Sequence, residues 1–78
     1  MDRRFQGTVK WFSPTGGFGF ILPDGSDRSL YVDHNGILGD GVAGLLEGDR
    51  VEFSMMATPR GPRAHRVIRL NRVAIASD

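Results

Sequence analysis

The chain alternates between short apolar segments and turn-forming residues, and this pattern predicts strands rather than helices. Its 78 residues include 11 glycines and 4 prolines, which interrupt the apolar segments before they reach the length of a typical helix. The segments themselves are rich in β-branched and aromatic residues, which favour strands. Five strands are predicted, over residues 5–12, 17–22, 29–33, 50–56 and about 63–70.

A long connection separates the third predicted strand from the fourth. It runs over residues 34–47, and its Leu45–Leu46 pair is expected to close over one end of a barrel. Five short strands with one long connection predict an all-β fold, a small closed or partly closed Greek-key barrel. The length allows a single domain, residues 1–78, with a core over about 5–70 and a short flexible C-terminal tail.

Aromatic residues of the second and third strands are predicted to share an outward face. Alternate side chains of a strand point to opposite faces, so Phe18 and Phe20 face outward if Gly19 and Ile21 face the core. By the same rule Tyr31 faces outward from the third strand. If these strands are neighbours, the three rings form one surface.

Alternation leaves the orientation of the first strand's aromatic residues open. A regular strand would place Trp11 on the core side with Val9, and would turn Phe12 outward with Lys10. A β-bulge or the end of the strand would turn Trp11 outward instead. The sequence alone does not decide which of the two rings is exposed.

The last two strands are interpreted by the same alternation. It predicts that Met55 shares one face of the fourth strand with Val51 and Phe53. In the fifth strand it places His65 on the side of Val67, near the core. His65 is therefore interpreted as a packed residue rather than a functional one.

The composition excludes several classes of chemistry. The sequence has no cysteine, so disulfide and thiolate chemistry are excluded. Its two histidines, His34 and His65, lack the spacing of metal ligands. No apolar run approaches the length of a membrane span, and the polar start MDRRFQG does not resemble a signal peptide. We therefore expect a cytoplasmic protein with no metal, cofactor, membrane partner or catalytic site.

Basic residues accompany the predicted aromatic face. The net charge is +1, but residues 53–78 contain five arginines at every third position and one acidic residue. Proteins hold single-stranded nucleic acid on aromatic platforms with basic flanks, because bases stack on the rings and cations contact the phosphates. The glycines beside Phe18 are expected to let a ligand approach the backbone closely. The alternative left open is that the aromatic residues are cross-strand pairs that only stabilise the sheet.

The segment GTVKWF at 7–12, followed by GFGFI at 17–21, resembles the cold-shock domain, whose first ribonucleoprotein motif reads KGFGFI. The resemblance continues at 30–32, 45–48 and 60–64. It implies a five-stranded OB-type barrel that binds single-stranded RNA and DNA, acting as an RNA chaperone with effects on transcription or translation. The positions that match the family's binding surface are Lys10, Trp11, Phe12, Phe18, Phe20, Tyr31 and Arg60.

Several positions depart from the family's pattern. The lysine that opens the first motif is replaced by Gly16, and the aromatic residue of the long loop by Val42. The second motif reads Asp33–His34 where the family has His–Phe, and His34 is expected to replace part of the lost stacking. Asp33 is interpreted as a solvated strand-end acid or an Asx turn rather than a selectivity determinant. Arg63 is added to the expected phosphate contacts.

Two functions from different classes therefore remain. The leading one is a non-catalytic binder of single-stranded RNA and DNA, expected to be a monomer. The alternative is a divergent OB barrel with weak nucleic-acid affinity that serves a protein–protein interaction through the same aromatic surface. An enzyme is disfavoured, because no arrangement of nucleophile, paired acid and base, or metal ligands is present.

Overall fold

The computed structural model describes residues 3–38 and 45–71, which form a closed five-stranded barrel. The chain runs through five strands, with a one-turn 3-10 helix, His34–Gly36, directly after the third. Around the barrel the strand order is β1-β2-β3-β5-β4. The strands are β1 Phe5–Ser13, β2 Phe18–Pro23, β3 Leu30–Asp33, β4 Arg50–Thr58 and β5 Gly61–Asn71. The predicted all-β barrel and its five strands are confirmed, with small changes in their ends.

The strands pair antiparallel except at one junction. β1 is long enough to pair with β2 along one part and with β4 along another. β4 and β5 form a hairpin, and β2 pairs with β3. The barrel closes where β3 meets β5 in parallel, at Tyr31 and Arg63, and a parallel bridge between Ile37 and Val67 extends this junction. Closure leaves no open sheet edge along the paired strands.

The barrel interior is filled by apolar side chains from all five strands. In β2 and β3 the predicted alternation is confirmed, since Ile21 and Val32 are fully buried. Of the Leu45–Leu46 pair, only Leu45 joins the core, because Leu46 is 50% exposed. The buried apolar side chains are Val9, Ile21, Leu30, Val32, Leu45, Val51, Phe53, Ala64 and Val67.

A bulge in the β4–β5 pairing overturns the predicted orientation of His65. Between the Glu52–Ile68 and Ser54–His65 pairs, two steps along β4 correspond to three along β5, so β5 contains a bulge. Arg66 lies in this bulge with a left-handed φ of 53°. The core positions of β5 are therefore three residues apart, at 64 and 67, and His65 is half-buried on the other face.

The prediction that Met55 shares the face of Val51 and Phe53 is wrong. Ser54 is buried in its place and accepts a hydrogen bond of 3.1 Å from Arg4 Nη1, while Met55 is 41% exposed. Val42, Arg72 and most of the predicted tail lie outside the described residues.

Candidate nucleic-acid interface

A β-bulge in β1 decides which of its aromatic residues faces solvent. Val9 pairs with Ile21 and Trp11 with Phe20, so Lys10 is an extra residue in β1. A bulge of this kind shifts the alternation of side chains by one position. As a result Lys10 and Trp11 are both exposed, Trp11 by 46%. Phe12 is instead half-buried and packs against the core, so its predicted role in binding is the least supported of the set.

The four remaining rings form a continuous surface, which we call the aromatic patch. Its members are Trp11, Phe18, Phe20 and Tyr31. The Phe18 and Phe20 rings lie 5.4 and 6.3 Å from the Trp11 ring, measured between centroids. The Tyr31 ring lies 6.1 Å from Phe18 and 6.0 Å from Phe20. These are contact distances for aromatic pairs, so each ring supports its neighbours.

Gly19 lets β1 approach β2 closely beneath the aromatic patch. A Cβ atom at this position would lie 2.3 Å from the carbonyl oxygen of Trp11 and 2.8 Å from the Cα atom of Phe12. Both contacts are with backbone, which has no room to shift. The sequence suggested that a glycine here lets a ligand approach the backbone closely. In the described structure it is the neighbouring strand β1 that approaches Gly19 closely.

Arg63 and Asp33 form an ion pair at the edge of the aromatic patch. Arg63 Nη2 donates a hydrogen bond of 2.6 Å to Asp33 Oδ2, and the Arg63 Cζ atom lies over the Tyr31 ring, 5.0 Å from its centroid. Asp33 precedes the 3-10 helix but makes no side-chain capping bond. The interpretation of Asp33 as a solvated acid or an Asx turn is therefore wrong. No sequence signal predicts this pair, since its members lie 30 residues apart.

Arg60 lies at the tip of the β4–β5 hairpin. Its backbone N–H donates to Thr58 Oγ1 at 3.1 Å, and the Thr58 hydroxyl donates to the carbonyl of Gly61 at 2.6 Å. Gly61 has a φ of 114°, which a residue with a side chain rarely adopts. This turn presents an exposed Arg60 beside a shallow cavity of about 400 Å³ that Tyr31 and Arg63 also line.

His34 lies at the other side of the aromatic patch. Its backbone N–H donates to the carbonyl of Gly17 at 2.8 Å, and its exposed ring lies beside the same glycine. The ring therefore lies next to the β1–β2 turn, beside Gly17, the residue that precedes Phe18. This position is compatible with the predicted stacking role, which stays a prediction.

A second cavity of about 400 Å³ lies beyond Arg63, on the side of β4 and the 3-10 helix. It was not anticipated from the sequence, because the β5 bulge at Arg66 brings His65 and Arg66 to its wall. Arg63 lines both cavities.

A second ion pair lies on the β1–β4 side of the barrel and shifts two pKa values. Arg50 donates to both carboxylate oxygens of Asp24, at 2.8 and 2.7 Å, and to Thr8 Oγ1 at 2.9 Å. The hydrogen bonds from Arg50 hold the pKa of the Asp24 carboxyl below its ordinary value. The same bonds raise the pKa of Arg50.

Neither a metal-ligand cluster nor a membrane-spanning helix occurs within residues 3–38 and 45–71. No group of three or more His, Cys, Asp or Glu side chains in these ranges could hold a metal ion. No helix in them is long and apolar enough to cross a membrane.

Comparison with solved structures supports the barrel fold. The drosophila Unr CSD456 structure superposes with a TM-score of 0.73 at 22% sequence identity. The match covers 96% of this chain and 30% of that one. At this identity the likeness establishes the fold, a cold-shock-type OB barrel.

Comparison with known sequences establishes the family. The model of the "Cold-shock" DNA-binding domain matches residues 5–70. The probable cold shock protein A of Mycolicibacterium smegmatis is 44% identical over 59 residues, which are 76% of this chain and 88% of that protein. CspV of Vibrio cholerae is 39% identical over 90% of this chain and 100% of that protein. CspE of Escherichia coli is 40% identical over 86% of this chain and 97% of that protein. The chain belongs to the cold-shock domain family of nucleic-acid-binding proteins.

Proposed function

We propose that this protein binds single-stranded RNA and DNA and acts as an RNA chaperone. The observation that carries the proposal is the aromatic patch, in which Trp11, Phe20 and Tyr31 are each at least 37% exposed. Exposure of three neighbouring rings exceeds what cross-strand stabilisation of the sheet needs, whereas every nucleotide base can stack on such rings. One stacked base contributes about 1–3 kcal/mol. The exposed cations Lys10 and Arg60 border the patch and supply phosphate contacts.

Chaperone activity follows from binding alone. A protein that binds only the unpaired strand shifts the folding equilibrium of RNA toward that strand by mass action. No catalytic residue is needed, so we propose a non-enzymatic single domain that works as a monomer. The cytoplasm is its proposed location, because RNA is available there and the chain lacks cysteine.

Titration of Trp11 fluorescence tests the binding step. Trp11 is the only tryptophan of the chain, and its exposure makes it a direct reporter of stacking. We expect a short oligothymidine to quench it strongly at low salt, and a matching duplex to quench it much less. Equal quenching by both ligands would indicate charge attraction without stacking. An absence of binding by fluorescence and by gel shift would contradict the proposal, and would favour a protein partner for the patch.

A hairpin-opening assay tests the chaperone step separately. An RNA hairpin with a fluorophore and a quencher at its ends should brighten as wild-type protein is added, without any nucleotide cofactor. Phe20→Ala should require a higher concentration for the same effect. Binding of the open strand without hairpin opening would limit the function to single-strand binding.

A further inference from the structure

We propose that Arg63 is a base-stacking residue and that Asp33 is the positioning residue that holds its guanidinium over Tyr31. This inference rests on the proposed function, because it assumes a bound single strand. It assigns Arg63 a different role from the phosphate contact expected from the sequence. It also gives Asp33, which departs from the family pattern, a part in the binding surface.

The backbone brings the guanidinium to the aromatic patch. Tyr31 and Arg63 are register partners where β3 and β5 meet in parallel, so their side chains emerge next to each other. The Arg63 Cζ atom lies over the Tyr31 ring at 5.0 Å from the centroid, and Tyr31 in turn lies near-parallel to Phe18. Nucleotide bases stack on arginine guanidinium planes as well as on aromatic rings. The planar guanidinium therefore extends the aromatic patch toward β5.

The carboxylate of Asp33 fixes the guanidinium in this position. Asp33 follows Tyr31 by two residues and so lies on the same side of β3. Its hydrogen bond from Arg63 Nη2 is short for a charge-assisted pair, at 2.6 Å. The two side chains retain 31% exposure for Arg63 and 24% for Asp33, so the pair is partly shielded while part of the guanidinium stays accessible.

Charge balance disfavours a phosphate contact by Arg63. Asp33 Oδ1 is buried and has no hydrogen-bond partner within the described ranges, 3–38 and 45–71. Movement of Arg63 onto a phosphate would leave this carboxylate uncompensated beside the polyanion, which is unfavourable. The Asp33–Arg63 pair is also neutral as a unit. It therefore offers a flat surface rather than a net positive charge.

The two cavities leave space for bases around the guanidinium. One cavity lies toward Tyr31 and Arg60, the other toward Asp33 and His65, and each has a volume of about 400 Å³. Arg63 lines both of them. A base can thus approach the guanidinium without displacing core side chains.

Arg63→Lys separates stacking from charge. Lysine keeps the positive charge, and so can still compensate Asp33, but it lacks the planar fork. We expect affinity for an oligouridine to fall about fivefold or more, with no change in the slope of log K against log salt concentration. Retained affinity would overturn the stacking role. Arg28→Lys, at an exposed residue of the loop before β3, is the matched control and should bind like wild type.

A scan with abasic sites measures the contribution of each base to affinity while the charge of the oligonucleotide stays the same. Single abasic sites are placed in turn along the oligouridine, which removes one base and keeps every phosphate. Against wild type, each position whose base stacks should show a loss of affinity. Against Arg63→Lys, one such position should lose its sensitivity. An unchanged profile would overturn the proposal.

Asp33→Ala tests the positioning role by the sign of its effect. If Asp33 holds the stacking guanidinium, its removal should weaken binding about fivefold or more although a negative charge is lost. If Asp33 only restrains a phosphate-binding arginine, affinity should rise and the salt slope should steepen by about 0.7. Unchanged or tighter binding overturns the positioning role. Thermal melting of each variant confirms that it is folded, and failure of wild type to bind would refute the proposed function instead.

Discussion

The exposure of Trp11 depends on one extra residue in β1, Lys10, which forms a bulge. In a regular strand without this bulge, alternation would bury Trp11 beside Val9 and expose Phe12. The bulge reverses this, and it exposes a lysine and the largest aromatic side chain next to each other. A cation for phosphate and a ring for a base therefore come from consecutive residues.

At the same scale, Phe20→Ala should weaken single-strand binding without unfolding the barrel. Phe20 is 37% exposed and contacts Trp11 and Tyr31 rather than the core. We expect a loss of about 1–3 kcal/mol in binding free energy, the value of one stacked base, measured by fluorescence titration. Met55→Ala is the matched control, because Met55 on β4 is similarly exposed, at 41%, and makes none of the ring contacts of the patch. A similar loss in both variants would mean that truncation of any exposed apolar residue weakens binding.

Asp24→Asn should change the response of stability to pH. Because Arg50 lowers the pKa of Asp24 in the folded protein, the ionised carboxylate stabilises the fold above its unfolded pKa of about 4. This contribution is lost as pH falls through the lower, folded pKa. The Tm of Asp24→Asn should therefore lie slightly below that of wild type at neutral pH, and the gap should narrow below about pH 4.

Melting curves between pH 7 and pH 2 provide the measurement. Asp27→Asn removes the same charge from the same loop and corrects for the change in net charge. A gap between wild type and Asp24→Asn that stays constant across the range would show that the ion pair with Arg50 does not stabilise the fold.

At the scale of elements, the spacing of β1 and β2 depends on Gly19. Gly19→Ala should destabilise the protein by about 1–3 kcal/mol, because its Cβ would meet the β1 backbone at 2.3 Å. Gly36→Ala is the control: its Cβ would meet its nearest neighbours at an ordinary 3.4 Å. We expect Gly36→Ala to remain within about 0.5 kcal/mol of wild type in urea unfolding. If Gly19→Ala and wild type had the same free energy of unfolding, β1 and β2 would be able to move apart at the bulge at little cost.

Strand alternation predicted some elements correctly and failed in others for an identifiable reason. In β2 and β3 no bulge interrupts the period of two, so the exposure of Phe20 and Tyr31 followed from the sequence. In β1 and β5 a bulge shifts the period, so the orientation of Trp11 was left open and that of His65 was predicted wrongly. A bulge depends on the register between two strands, and neither strand's sequence contains that information.

Contacts across the barrel could likewise not be predicted from the sequence. The pairing of Asp33 with Arg63 requires that β3 and β5 be neighbours in parallel, which only the closed topology provides. The family resemblance supplied most members of the candidate site but not this partnership. It also supplied Phe12, which the structure turns toward the core.

At the scale of the whole molecule, pairing reduces the number of cations available to a ligand. Arg50 and Arg63 each neutralise a carboxylate. The two proposed phosphate contacts are Lys10 and Arg60. For two contacts with a single strand, the slope of log K against log salt concentration should be about −1.4. Arg60→Ala should reduce the magnitude of this slope by about 0.7.

Affinities measured over a series of salt concentrations test this number. A slope near zero would contradict phosphate contacts altogether. A slope much steeper than −1.4 would show that further cations of the chain contact phosphates.

A ligand bound at the parallel junction of β3 and β5 should stabilise the closed form of the barrel. Tyr31 and Arg63 close the cylinder at this junction, and the proposed base lies on the same two side chains. In the free protein a short parallel junction is the natural place for transient opening, and amide hydrogens nearby should exchange with solvent soonest. A bound strand would hold the two sides together and slow that exchange. A bound single strand should therefore also slow proteolysis of the barrel, because it lowers the population of the open form.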